Sequence, residues 1–102
     1  MKTKESKSIR EIQKILLNHK QELREKYGVK EIGIFGSYIR EENRKNSDID
    51  ILVEIEKPMG FFKFIRLERY LSELLRVKVD LVTKNALKPH IGQRILAEVI
   101  YV

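Results

Sequence analysis

Five residues of this chain have types and spacing that could do chemistry together: Gly36, Ser37, Asp48, Asp50 and Asp80. Asp48 and Asp50 fall two apart in a segment that alternates polar and apolar, so on a strand they share a face with Cα atoms roughly 6.5 Å apart. Two carboxylates facing the same way repel unless a positive charge sits between them. Hard divalent cations such as Mg²⁺ supply that charge, bound through carboxylate oxygens and substrate phosphates. Such a pair can hold two metal ions roughly 3.5–4 Å apart, the arrangement used for in-line phosphoryl or nucleotidyl displacement.

Asp80 lies mid-strand in Val77-Lys78-Val79-Asp80-Leu81-Val82, where a charge is unusual. If that strand neighbours the one carrying Asp50, Asp80 completes the metal cage or serves as general base on an incoming hydroxyl. Ten residues separate Gly36-Ser37 from Asp48, and the pair stands at the end of an apolar run and the start of a polar one. Glycine permits a tight turn and close approach of the backbone. A helix opening there would present free N–H groups to a phosphate, with the Ser37 hydroxyl donating and Arg40 one turn on. Each part has an ordinary explanation when taken singly. Gly-Ser is a common turn, Asp48 after Ser47 is turn chemistry, and Asp50 or Asp80 could guard a sheet edge. Their conjunction at one edge of one sheet selects a nucleoside triphosphate site, with phosphates on Gly36-Ser37 and metals on the aspartates.

The elements that must position these residues alternate in type. Residues 8–27 read as a first helix, with a capping-box spacing from Ser8 to Glu11 and Gly28 as its stop. Residues 29–35 read as a strand. Residues 36–46 read as a short helix from about Ser37, then a loop around Asn43-Arg44-Lys45-Asn46. Residues 48–55 alternate as a strand, with Ile49, Ile51, Val53 and Ile55 on one face and Asp48, Asp50, Leu52 and Glu54 on the other. Residues 61–75 form an amphipathic helix whose core candidates are Phe61, Phe64, Ile65, Leu67, Leu71, Leu74 and Leu75. Residues 76–83 make a third strand, and a helix over 89–98 starts on Pro89. Residues 99–102 extend that helix or add an edge strand. The order α-β-α-β-α-β-α implies an α/β (α+β) fold, a small sheet with helices packed on it, in one domain over 1–102; the strand order stays open.

Composition bounds the rest. A chain of 102 residues has little room for a separate substrate domain, so a large acceptor must be held partly by another chain. The absence of cysteine excludes disulfides and thiolate zinc sites. No apolar run has transmembrane length, and Met1-Lys2-Thr3-Lys4-Glu5-Ser6-Lys7 lacks the apolar core of a signal peptide; a cytoplasmic protein without membrane contact is expected. The net charge of +6 raises nucleic acid as a partner. Lys and Arg are interleaved with Glu, however, as in Lys20-Gln21-Glu22-Leu23-Arg24-Glu25-Lys26, and such a run is a solvated helix face. A nucleotide or an acidic protein explains the charge as well. His19 reads as a surface residue and His90 as a cap. Phe62, if exposed, reads as a protein interface.

The stretch Ile34-Phe35-Gly36-Ser37-Tyr38-Ile39-Arg40, ten residues from Ser37 to Asp48-Ile49-Asp50, and Val79-Asp80-Leu81-Val82 resemble the signature of the minimal nucleotidyltransferases, in the DNA polymerase β-like nucleotidyltransferase superfamily. The closing Ile95-Leu96-Ala97-Glu98-Val99-Ile100-Tyr101 is similar too, and the likeness runs from about Val29 to the last residue. It implies the superfamily's nucleotidyltransferase fold with a mixed sheet, and Mg²⁺-dependent transfer of AMP from ATP to a hydroxyl. By matching position, Gly36, Ser37 and Arg40 bind the nucleotide while Asp48, Asp50 and Asp80 bind metal and carry catalysis. It further implies a type VII antitoxin that adds AMP to a tyrosine of a HEPN-domain toxin. The chain departs from the family where Ile39-Arg40-Glu41 replaces a common Ala-Arg-Gly stretch, which alters the local loop. Two alternatives stand beside this expectation: an antitoxin that neutralises its partner by binding alone, and a nucleic-acid-binding component of the complex. The acceptor, the nucleotide preference and any homo-oligomer are left open.

Overall fold

The computed structural model describes residues 8–39 and 48–102. Met1 to Lys7, Arg40 and the expected loop at Asn43-Arg44-Lys45-Asn46 lie outside the described residues, as does the side chain of Ser37. The chain runs α1 (Ile9–Asn18), α2 (Lys20–Tyr27), β1 (Val29–Phe35), a 3₁₀ turn (Gly36–Tyr38), β2 (Ile49–Ile55), α3 (Phe61–Leu75), β3 (Val79–Thr83), a second 3₁₀ turn (Lys84–Ala86), α4 (Pro89–Glu98) and β4 (Ile100–Tyr101). The strands form a mixed sheet in the order β3-β2-β1-β4. β1 pairs antiparallel with β2 and β4, and β2 pairs parallel with β3.

The alternation of β2 decides which residues go where. Ile49, Ile51 and Val53 point to one face with Ile32 and Ile34 of β1, and all five are fully buried. Ile12 and Leu16 of α1, Leu23 of α2 and Leu67, Leu71 and Leu75 of α3 close over them in one apolar cluster. Each such leucine contributes ~1.5–3 kcal/mol by leaving water. Phe35 and Leu52 are also buried but face the other way, outside that cluster; Leu52 therefore departs from the polar character its strand face suggests.

Four details differ from the sequence reading. The first helix breaks at His19 (φ −111°, ψ 9°), so 8–27 is two helices. The His19 ring is not a free surface group: its Nδ1 lies 2.9 Å from the Ile15 carbonyl oxygen, an acceptor that the ring N–H can serve at the break. The strand bearing Asp80 begins at Val79 rather than residue 76, because Arg76 caps α3 in the left-handed region (φ 59°). Phe61, expected in the core, is 70% exposed beside Phe62 at 74%, their rings packed edge to face 5.5 Å apart. The capping box is present as expected: Glu11 N–H donates to Ser8 Oγ (3.1 Å) and Ser8 N–H to Glu11 Oε1 (2.9 Å).

The outer edge of β3 is guarded by α3. Val79 N–H donates to Ser72 Oγ (3.0 Å) and Leu81 N–H to Glu68 Oε2 (3.0 Å), which satisfies strand donors that would otherwise invite another chain. α2 and α3 are joined by polar contacts as well. Tyr70 donates to Glu22 Oε1 (2.9 Å), Lys26 pairs with Glu22 (3.0 Å), and the Tyr27 and Tyr70 rings lie 5.8 Å apart. Burial and the Glu22 carboxylate push the Tyr70 phenol up to about 12. Hydrogen bonds from Lys26 and then Tyr70 hold the Glu22 carboxyl below its ordinary value, and the Glu22 carboxylate raises Lys26.

Candidate active site

The parallel pairing of β2 and β3 sets Asp50 opposite Asp80, and the antiparallel pairing of β1 and β2 sets Phe35 opposite Asp50. Neighbouring strands lie ~4.8 Å apart, so the end of β1 and the starts of β2 and β3 bring Gly36, Asp50 and Asp80 to one edge of the sheet. The conditional expectation that the third strand neighbours the second is met. Asp48 is partly buried and sits immediately before β2, which begins at Ile49 rather than at Asp48 itself. Its position is fixed by the Ile49 N–H, which donates to the Lys78 carbonyl (2.9 Å) and locks the start of β2 to the approach to β3.

Gly36 is required by two independent constraints. Its φ of +83° lies in the left-handed region, and a Cβ there would collide with the Asp50 carboxylate. The turn and the carboxylate thus touch, and only a residue without a side chain lets them. In the described residues the expected helix from Ser37 is a three-residue 3₁₀ turn, Gly36–Tyr38, closed by Ile39 N–H donating to the Gly36 carbonyl (3.0 Å).

α4 stands over this edge. With Phe35, Gly36 and Asp50, its residues Ile91, Arg94, Ile95, Ala97 and Glu98 line an open cleft of about 470 Å³, a volume typical of small-ligand sites. Two charged residues of this wall, Arg94 and Glu98, were not among the site candidates read from the sequence. Arg94 places a cation in the cleft wall. Glu98 accepts a hydrogen bond from the Gly36 N–H at 2.9 Å. A signal for Glu98 was present: a carboxylate in the last turn of a helix opposes the helix dipole. His90, at the exposed start of α4, is not among the residues lining the cleft.

The carboxylates are aligned by backbone rather than gathered by side chains. Among the described residues, no group of three or more His, Cys, Asp or Glu side chains is close enough to hold a metal ion together. The donor set of Asp48, Asp50 and Asp80 nevertheless fits a hard cation, being all oxygen. Like charges on adjacent strands repel by roughly 1 kcal/mol in water and a few times that where protein displaces it. A cation drawn between them would relieve that repulsion.

A small mixed sheet with paired aspartates at its strand starts, facing a glycine turn, defines a minimal nucleotidyltransferase. The chain belongs to the nucleotidyltransferase domain family, which matches residues 16–102, and it is an enzyme of that class. It is 53% identical over 95 residues to a protein adenylyltransferase, MntA, of Thermococcus cleftensis, covering 93% of this chain and 96% of that one. Its fold is similar to that of a solved structure described as a minimal nucleotidyltransferase, with a TM-score of 0.71 at 31% identity over 87% of this chain and 93% of the other. It is also similar, with a TM-score of 0.68 at 25% identity, to a chain in a crystal structure of a toxin–antitoxin with AMP-PNP, covering 90% of this chain and 69% of that one. Among the described residues no helix is long and apolar enough to cross a membrane.

Proposed function

We propose that this enzyme transfers AMP from ATP to a hydroxyl of a partner protein, a tyrosine of a HEPN toxin, and so acts as a type VII antitoxin in the cytoplasm. The observation that carries the reading is the alignment of the Gly36 turn, Asp50 and Asp80 at one sheet edge. The similarity to a relative described as a protein adenylyltransferase and to a toxin–antitoxin structure with AMP-PNP supports it.

In this mechanism the backbone of the Gly36–Ser37 turn, with Arg40, holds the triphosphate against the sheet edge. Asp48, Asp50 and Asp80 would hold Mg²⁺, with two ions expected from the pairing of Asp48 and Asp50. Bound there, the metal would neutralise phosphate charge and polarise the attacking hydroxyl. The acceptor oxygen attacks the α-phosphorus, the bond to the bridging oxygen breaks, and pyrophosphate leaves. The hydroxyl proton passes to a carboxylate; Asp80, opposite Asp50, is the most exposed of the three. Arg94 lies where it can balance charge on the nucleotide.

The test is transfer of label from α-labelled ATP to the HEPN partner in the presence of Mg²⁺. Asp48→Ala is expected to lower transfer by about 100-fold or more, since a lost metal ligand removes several kcal/mol of transition-state stabilisation. Equal labelling by wild type and variant would sink the proposal. The exposed Phe61 and Phe62 favour a second reading, neutralisation by binding alone. An Asp48→Ala/Asp50→Ala variant that still neutralises the partner would select it.

A further inference from the structure

Glu98 stands at the wrong end of a helix for a carboxylate, since it is the last residue of α4 and the helix C-terminus disfavours negative charge. Its side chain nonetheless reaches back across 62 residues of sequence to the Gly36 N–H. The sheet register explains why that donor needs it. β4 sets Tyr101 opposite Gly33 and Ile100 opposite Ile34, and the Val102 N–H donates to the Ile32 carbonyl at 2.9 Å. In an antiparallel pair every second residue turns its N–H and C=O to the same neighbour. Ile32, Ile34 and Gly36 therefore direct their backbone groups toward the β4 side. Followed one step further, the register places Gly36 opposite Glu98. There the chain is still helical and the ladder has ended, so the Glu98 carboxylate takes the place of a strand acceptor.

We infer that Glu98 is a positioning residue of the nucleotide site, holding the Gly36–Ser37 turn in its binding geometry through the Gly36 N–H. The inference rests on the reading of that turn as the phosphate holder. It makes α4 and β4 part of the nucleotide site rather than a cover laid beside it. The turn is clamped from two sides: the Asp50 carboxylate fills the space where a side chain would be, and the Glu98 carboxylate fixes the backbone N–H. Nucleotide affinity then depends on a residue that touches the turn and need not touch the nucleotide.

The test compares E98A, E98Q and E98D by two measurements. One is the Kd for AMP-PNP with Mg²⁺, and the other is hydrogen exchange of the Gly36 amide in the protein without nucleotide. E98A is expected to raise Kd about tenfold and to speed Gly36 exchange by a similar factor, the loss of one charge-assisted hydrogen bond. E98Q keeps an acceptor oxygen at the same reach and is expected within about threefold of wild type in both, because most of the bond survives. E98A matching wild type in Gly36 exchange overturns the tie, whatever the nucleotide does. E98Q losing as much affinity as E98A also overturns it, since Glu98 would then act by charge, as a metal ligand. If E98A does not fold, E98D decides, its side chain being one methylene shorter: a raised Kd and faster exchange support the tie, and wild-type values in both overturn it. Wild-type protein that binds no AMP-PNP overturns the functional reading instead, and Gly36 exchange still decides the contact.

Discussion

One face of the sheet carries Ile32, Ile34, Ile49, Ile51 and Val53, fully buried beneath α1, α2 and α3. The other carries Asp50, Glu54 and Asp80, partly or largely exposed, with α4 above them contributing Gly92 as its one buried residue. The first face has the apolar contacts that hold the fold together. The second has the charge and open space that chemistry needs, and among the described residues its large buried side chains are Phe35 and Leu52. A single strand, β2, serves both. Its odd-numbered residues anchor the core while Asp50, between Ile49 and Ile51, is held rigidly at the cleft. Stability and reactivity are thus separated by the two-residue period of a strand rather than by distance along the chain.

That separation can be broken experimentally, starting with the largest effect. Leu71→Ala, on the sealed face, is expected to cost ~2–5 kcal/mol of unfolding free energy in chemical denaturation, because the cavity it leaves cannot fully collapse. Its Kd for a nucleotide analogue, measured on folded protein, should stay at the wild-type value. A large rise in Kd would mean that the two faces are coupled. Gly36→Ala, on the open face, reverses the pattern. The left-handed φ costs ~1–2 kcal/mol of stability, while the new Cβ displaces the Asp50 carboxylate and should lower transfer of AMP ~10–100-fold in a turnover assay. Retained turnover would show that the Gly36–Asp50 contact is not needed.

The smallest effect concerns the α2–α3 contact and reads out as pH dependence. Tyr70 has a folded pKa of about 12 against an ordinary 10.0, so its contribution is complete below pH 10 and is lost as pH rises toward 12. Lys26, raised above 10.5, fades in the same alkaline direction. Glu22 is lowered from 4.5, so its contribution is present above that pH and is lost as pH falls below it. Tyr70→Phe is expected to lower stability slightly at neutral pH, and to flatten both the alkaline limb and part of the acid limb in denaturation curves. An unchanged alkaline limb would remove Tyr70 as its cause.

Much of the sealed face was legible because its residues obey simple periods. The alternation in β2, the leucines of α3 and the bounds of α3 and α4 all follow from spacing. The break at His19 was not legible, since 8–27 carries a continuous helical pattern and the kink is a local backbone choice. Nor was the exposure of Phe61, which opens α3 beside the similarly exposed Phe62. On the open face, the aspartates and the glycine were readable as types. Their meeting depended on strand order, which pattern does not contain: Asp50 and Asp80 are neighbours only because β3 pairs parallel with β2. Arg94 was missed because it looks like an ordinary residue of an amphipathic helix, and Glu98, though it lies in the family-like closing stretch, shows its role only when α4 is laid across the sheet.

The light anchoring of α4 has a thermal consequence. An element that buries little apolar area opens at a lower free-energy cost than the core beneath it. As temperature rises, α4 should lift from the sheet while α1, α2 and α3 still hold their leucines together. The enzyme is then expected to lose activity at a temperature below the melting point of the fold, and to regain it on cooling without refolding the chain.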